Sequence, residues 1–521
     1  MGPLLGKRSA SVYFYVLILC TTLILWGNFT ITLCSILLAT FWTLNGNFRS
    51  GFKTLIQRKT SLLYLVICAL ILGRVAIQLP QDEAVLIFTA YLPLLIFIVA
   101  IGSQKELTHG KFNSIMLVFV AIIVINTVYC SISYLINYTD TLNFRRIGLF
   151  MSHIRLSLFA VMGIATCTHY LFFNRELETK RERIFLWISL SWLVIFIVLS
   201  KVIIAYTILG FLLLVFIFLQ LKKHNSMKVK ALIVALFFLG IAGIAAVLYG
   251  EARYFISRDV YPSKITEKTR NGNEYNTLLN KQTIENGHYA GIYICKKEID
   301  SCWLAATGIS LYEVNKQGYP LYTTLYRYMA SKNLRKDAEG FAQLTNDDIT
   351  NVIDGFTNYR FTSNFSIRKR IYEAFWEIYE YANNGDANDH SITQRIEFLK
   401  CATKTIQKYP RFGVGAMAKK EMAITYHETN SPLSKSHWNL PHNQFMLMGV
   451  MTGIVGLVIF IACLVGLIVY SRKKWNVITI SWFAAMILSF FSEDTMNTHA
   501  GLAFCAYFGA LVLFAQPEKE Q

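Results

Sequence analysis

Apolar residues in this chain do not recur at the spacing of a surface helix; they run on without a break. Twelve such runs fall near 11–27, 29–44, 61–79, 84–103, 113–137, 150–173, 184–200, 202–221, 231–249, 444–470, 476–491 and 500–516. Roughly 17–25 apolar residues suffice for a helix to cross about 30 Å of hydrocarbon. One long polar stretch, 250–441, separates the ninth run from the tenth. Helical signals dominate it. Ile371, Ala374, Phe375 and Ile378 recur at i, i+3, i+4, i+7, one apolar helix face. Ser391-Ile-Thr-Gln394 reads as a capping box opening a helix that runs through Gln394–Gln407 and stops before Pro410. Strands are not obvious. The pattern predicts an all-α polytopic membrane protein with about 12 transmembrane helices and a large, mainly helical domain between helices 9 and 10. Its parts are 1–249 (helices 1–9), 250–441 (the polar domain) and 442–521 (helices 10–12 and a tail).

The loops set the orientation, because short loops rich in Lys and Arg stay in the cytoplasm. One alternating set is basic: Lys7/Arg8; Arg49, Lys53, Arg58, Lys59; Lys105, Lys111; Arg175, Lys180, Arg181, Arg183; Lys222, Lys223, Lys228, Lys230; Arg472, Lys473, Lys474; and Lys519. The opposite set holds Gln81-Asp82-Glu83 and Ser492-Glu493-Asp494. Both termini are thus expected in the cytoplasm and 250–441 outside. The first run lacks a small-x-small cleavage site and leads straight into the second, so it reads as an uncleaved anchor.

Composition supports this picture: 54% hydrophobic, only 16% charged, mean hydropathy +0.41. Soluble globular proteins average about 25% charged residues. The net charge of +18 therefore points to membrane orientation rather than to a nucleic-acid partner. The stretch 250–441 carries 25 Lys and Arg against 21 Asp and Glu, an ordinary surface balance that leaves about +14 for the rest. Seven of the ten cysteines lie in spans; Cys401 reads as core. Cys295 and Cys302, with six residues between them, are either a disulfide permitted by an oxidising exterior or two thiols. No C-x-x-C or finger spacing suggests metal.

A few basic residues stand on the disfavoured side. Arg74 and Arg155 fall inside spans near their outer ends, Lys201 in the turn between spans seven and eight, and Arg145 and Arg146 just before span six. Snorkelling to headgroups accounts for Arg145, Arg146 and Lys201. Arg74 and Arg155 read better as an anion site, since buried charge is costly and guanidinium matches phosphate bidentately.

Three motifs follow in order. Arg395-Ile-Glu-Phe-Leu-Lys-Cys-Ala402 precedes Tyr409-Pro-Arg-Phe-Gly-Val-Gly415, and His442-Asn443 precedes, after nine residues, Gly453-Ile-Val-Gly456. Singly, each is unremarkable: a surface Arg, a Gly-rich helix stop, an interfacial His before a small-residue span. Together with Ser200-Lys201 outside span seven and the twelve-span plan, the set resembles the O-antigen ligase and polysaccharide polymerase superfamily of bacterial envelopes. Ser200-Lys201 stands where many members carry Ser-Arg, and 250–390 is longer than in a typical member.

The resemblance implies a glycosyltransferase at the periplasmic face of the inner membrane. It would move a glycan from undecaprenyl diphosphate to a hydroxyl of lipid A–core, with inversion and without metal or other cofactor. It implies His442 as base with Asn443 supporting it, and Arg395, Arg155 and Arg74 as cations for the departing diphosphate. Gly413 and Gly415 would let backbone approach the substrate, and Lys201, Arg145 and Arg146 would add positive charge. His427 and His437 rank lower as bases; Glu493 or His499 would line the site. Alternatives are a polymerase or protein O-oligosaccharyltransferase of the same family and, from another class, a twelve-span transporter or an anchored sensor.

Overall fold

The computed structural model describes residues 8–137, 147–174, 179–223, 226–255, 265–277, 283–362 and 367–518. Helices α1 (Ser9–Leu23), α2 (Asn28–Asn45), α3 (Phe48–Gln57), α4 (Lys59–Ala76), α5 (Asp82–Gly102), α6 (His109–Ile136), α7 (His153–Thr168), α8 (Lys180–Ser200), α9 (Ile203–Lys223) and α10 (Met227–Ala252) come first. Next are α11 (Lys296–Thr307), α12 (Leu321–Ser331), α13 (Ala338–Phe341), α14 (Asn346–Ile353), α15 (Ile367–Asn384), α16 (Ser391–Lys408) and α17 (Ala418–Glu428). Then follow α18 (Gln444–Tyr470), α19 (Val477–Ser492) and α20 (His499–Ala503). Among the described residues, nine helical segments are long and apolar enough to span a membrane. Three shorter apolar ones, Ser9–Leu23, Val477–Ser492 and His499–Ala515, complete the twelve runs read from the sequence. The chain is an all-α polytopic membrane protein.

The chain forms two compact units. Unit 1 comprises Met1–Gln220, Phe398–Ser431 and Trp438–Gln521; unit 2 comprises Leu221–Glu397 and Pro432–His437. The polar stretches 398–431 and 438–441 group with the spans of unit 1, whereas the apolar run 231–249 groups with unit 2.

In unit 1 the helix α7 is central: every side chain from Arg155 to Cys167 is buried. The last segment is buried along its length, and two π-helical turns, Phe504–Phe508 and Leu511–Ala515, follow α20. Widened turns loosen the usual backbone ladder, and side chains take up carbonyls there. Tyr64 Oη donates to Cys505 O at 2.9 Å and Trp482 Nε1 to Phe504 O at 3.1 Å.

The helix α18 is broken at Gly453 (φ 71°, ψ −176°). A broken helix inside a membrane needs partners for the freed amides and carbonyls. The segment after α16 supplies them: Ile454 N–H donates to Pro410 O at 2.7 Å, and Val414 N–H to Val450 O at 2.8 Å. The two chains touch so closely that a Cβ on Gly413 would sit 2.4 Å from Val450 O, and one on Gly453 2.3 Å from Arg411 O.

Unit 2 has its own core, in which Trp303, Leu325 and Val352 are fully buried. Its one two-stranded sheet among the described residues pairs β1 (Ile284–Glu285) with β2 (His288–Tyr289) across Asn286-Gly287. Asn-Gly favours a tight hairpin because both residues tolerate positive φ; here they adopt 53° and 92°. One open alternative is decided and two readings are corrected. Cys295 and Cys302 are free thiols; Cys295 caps α11 and Cys302 lies two turns on, about 10 Å along a helix, beyond disulfide reach. The α16 amide at Ile392 is taken by the Glu377 carboxylate at 2.8 Å. The buried face of α15 is not the apolar one: Tyr372, Glu377 and Glu380 are buried while Ile378 is 46% exposed. Tyr372 donates to the fully buried Glu285 at 2.9 Å, so polar groups made the inward choice.

Candidate functional site

In unit 1, where the chain enters α18, four charged side chains converge. Arg155 enters from the first turn of α7, which Ser152 caps through Arg155 N–H. Glu493 and Asp494 follow the end of α19, and His442 precedes α18. Arg155 Nη1 lies 3.2 Å from Glu493 Oε2, Nη2 lies 3.7 Å from Asp494 Oδ1, and Nε donates to Thr498 Oγ1 at 3.1 Å. His442 Nδ1 faces the same two oxygens, at 3.8 Å and 3.5 Å. Arg155, Glu493 and Asp494 are buried and the His442 side chain is 29% exposed. Two cations and two anions make a neutral quartet.

Its members are fixed by their neighbours. Asn443 caps α18 by accepting from Met446 N–H at 3.0 Å, and its amide donates to Phe491 O at 2.9 Å, tying the start of α18 to the end of α19. His442 holds a left-handed φ of 46°, unusual for a residue with a Cβ, and strain of this kind concentrates where surrounding structure enforces it. Phe398 packs on the imidazole at 5.5 Å, and Tyr426 stacks on Trp438 at 5.5 Å. On the imidazole's other nitrogen, Asn439 Nδ2 lies 3.2 Å from Nε2, while Asn439 Oδ1 accepts from Leu440 N–H at 2.9 Å.

Two effects oppose each other at His442. Burial disfavours the imidazolium; the Asp494 and Glu493 carboxylates favour it and win, raising the pKa from 6.5 to about 9. The Asn439 amide donates toward Nε2 and so prefers the neutral ring. Turning that amide sacrifices one neutral hydrogen bond, about 1 kcal/mol, less than the carboxylates supply. At neutral pH the ring is charged. The ligand atoms of His442, Glu493 and Asp494 lie within 4.8 Å of one another, as a metal centre would require. The oxygens aimed there are already held by the Arg155 guanidinium, which supplies the positive charge an ion would bring.

The remaining sequence-predicted residues have other surroundings. Arg74 is tied to backbone carbonyls: Nε donates to Phe412 O at 2.9 Å and Nη2 to Gly413 O at 3.0 Å. Gln78, one turn on, donates to Val414 O at 3.0 Å and accepts from Ala416 N–H at 2.7 Å. Both clamp the loop 412–416 to the end of α4. Gly413 and Gly415, at φ 61° and 64°, leave room for protein: a Cβ on Gly415 would lie 2.3 Å from Gln78 Oε1. Lys201 sits half-buried at the end of α8 with φ 52°, after Ser200, whose Oγ is 3.4 Å from Ser157 Oγ. Arg395, half-buried on α16, belongs to unit 2. Arg145 and Arg146 lie outside the described residues. His437 pairs with Asp389 at 3.0 Å within unit 2, and His427 lies in the last turn of α17.

Sequence reasoning gave Glu493 a minor place and passed over Asp494 and Asn439. A signal existed for the first two: two adjacent acids between short spans, on the same side of the membrane as His442 and Arg155, need cationic partners.

No curated protein matches the chain significantly. Residues 345–461 match the family described as O-antigen ligase. That segment encloses Arg395, the Pro410–Gly415 loop, His442-Asn443 and the α18 break, and leaves out Arg155, Glu493 and Asp494. Through this segment, less than a quarter of a polytopic helical chain, the protein is similar to the O-antigen ligase family.

Proposed function

We propose that the protein transfers a glycan from a polyprenyl diphosphate carrier to a sugar hydroxyl of lipid A–core at the periplasmic face of the bacterial inner membrane. The observation that carries this reading is the imidazole of His442, which lies inside the segment that matches the ligase family and is held against two buried carboxylates outside that segment. Neutral His442 takes the proton of the acceptor hydroxyl, and the carboxylates stabilise the imidazolium so formed, which makes this ring a stronger base than free imidazole. The acceptor oxygen attacks the anomeric carbon, a new C–O bond forms with inversion, and the bond to the diphosphate breaks, its electron pair leaving with the carrier. Arg395, in unit 2, keeps the role of neutralising the diphosphate that its motif implies. Arg155 holds the two carboxylates in place; its charge is spent on them.

The test is transfer by full-length protein in lipid vesicles, given purified lipid-linked glycan and lipid A–core. General-base catalysis is worth about 10²–10⁴-fold, so His442→Ala should lose at least 100-fold. A variant that inserts normally and transfers at the wild-type rate refutes the assignment. Product formed only on a second carrier-linked chain makes the protein a polymerase.

A further inference from the structure

Unit 2 contains a cleft unrelated to the His442 quartet, with a volume of about 430 Å³, inside the ~300–1,000 Å³ range of small-molecule sites. Such sites are usually lined by apolar side chains with a few polar groups. This one is the reverse: Asn286, Ser331, Lys332, Asn333, Tyr359 and Arg360 supply most of its wall.

The floor is preorganised. Asn286, left-handed at the β1–β2 turn and buried, donates to Ser331 O at 2.9 Å, and Asn358 donates to Asn286 Oδ1 at 3.0 Å. Ser331 Oγ accepts from Tyr359 N–H at 3.1 Å and donates to Tyr328 O at 2.6 Å. Behind them the fully buried Glu285 is held by Arg327 at 2.6 Å and by Tyr372. A floor whose own hydrogen bonds are complete keeps its shape without a ligand.

The charges on the wall are spent. Arg360 pairs with the fully buried Glu251 at 3.4 Å and lies 3.9 Å over the Tyr254 ring; Lys332 pairs with Asp348 at 2.6 Å. Besides His288, half-buried on β2, two uncharged groups stand open at the rim. Asn333 is exposed at a left-handed φ of 58°, and its side-chain amide makes no hydrogen bond among the described residues. The Tyr359 ring is 46% exposed. An amide with both donor and acceptor beside an exposed aromatic face suits a neutral pyranose, which has hydroxyls on its edges and an apolar C–H face. An anionic ligand would need a cation not already committed.

From this we infer that the cleft of unit 2 is a saccharide-binding site for neutral sugar units of a glycan, separate from the transfer centre. The choice of ligand class rests on the reading of the chain as a glycan transferase; the cleft's shape and charge state do not.

Saturation-transfer NMR on the full-length protein in nanodiscs tests it. The probes are methyl glycosides of glucose, galactose and N-acetylglucosamine, their β-linked disaccharides, and glucuronate and inorganic phosphate as anionic comparators. At least one neutral glycoside should bind. Tyr359→Ala and Asn333→Ala should each weaken it at least fivefold, with Tyr359→Phe, which keeps the ring, within twofold of wild type. His442→Ala should leave binding unchanged. No neutral glycoside bound, binding of the anions alone, or binding indifferent to Tyr359→Ala and Asn333→Ala overturns the inference. Saccharide binding in a protein without transfer activity would sink the proposed function and leave this site standing, whereas active transfer without saccharide binding would do the opposite.

Discussion

Replacing Asp494 with Asn removes one of the two carboxylates that keep the His442 ring charged. The rise from 6.5 to about 9 corresponds, at 1.36 kcal/mol per pH unit, to about 3 kcal/mol of net preference for the imidazolium. At 3.5 Å and 3.8 Å, with an effective dielectric near 20, Asp494 and Glu493 each attract the ring by about 4–5 kcal/mol. Burial and the Arg155 charge therefore oppose them by about 6 kcal/mol. With Asp494→Asn the single remaining attraction falls short of that opposition, and the ring should titrate below pH 7. The assay is NMR of ring-labelled histidine in detergent, with His442 assigned by its loss in His442→Gln. A midpoint still near 9 in Asp494→Asn refutes the electrostatic account. Stability gives an independent reading. A group whose pKa is raised on folding contributes stability that is fully present below its unfolded value, near 6.5, and lost as pH rises through about 9. Wild type should thus melt lower at pH 10 than at pH 7, by more than Asp494→Asn does.

Three further outcomes follow from the same geometry. Arg155→Met strands two buried carboxylates, and breaking a buried pair costs about 3–5 kcal/mol; thermal unfolding should show it, with Glu493→Gln/Asp494→Asn in the same chain restoring most of the loss. Gly453→Ala meets the Arg411 carbonyl at 2.3 Å on top of a left-handed φ, whereas Gly308→Ala, also left-handed, meets nothing within 4 Å. The second should cost only the strain, about 1–2 kcal/mol, and the first clearly more, read as melting temperature and yield of monodisperse protein. Arg74→Met loses two hydrogen bonds to the 412–413 carbonyls, roughly 1 kcal/mol each. Its effect should appear as lower thermal stability, and a selective rise in KM for the lipid-linked donor would return Arg74 to the anion site.

Long unbroken apolar runs announce membrane helices because a lone apolar segment satisfies its backbone in hydrocarbon only as a helix, and all twelve coincide with helices or helical segments. What the runs hide is backbone irregularity within them. Hydropathy does not register the break at Gly453, since Gly453-Ile-Val-Gly456 reads as apolar on either side of it; the clue was two further glycines, Gly413 and Gly415, whose partner was not readable. Arg74 is legible in the sequence only as a charge inside a span. Its nearest acceptors are carbonyls more than 300 positions away, and sequence distance conceals them. In unit 2 the inward face of α15 carries Glu377 and Glu380, so a rule that equates inward with apolar selected the wrong residues. The β1–β2 hairpin is legible in Asn286-Gly287, a pair that tolerates the positive φ of a tight turn. The motif histidine was found from spacing, but its electrostatic setting depends on acids 51 and 52 positions on, brought near by two intervening helices.

The central claim is that His442 is the base for transfer, and the pH dependence of kcat/KM tests it most directly. With a base whose neutral form grows up to pH 9, wild-type kcat/KM should climb about tenfold per unit from pH 6 and level off near 9. In Asp494→Asn the plateau should begin below pH 7, at a reduced height. A wild-type profile flat between pH 6 and 9, unchanged in shape when Asp494 is replaced, would contradict the account.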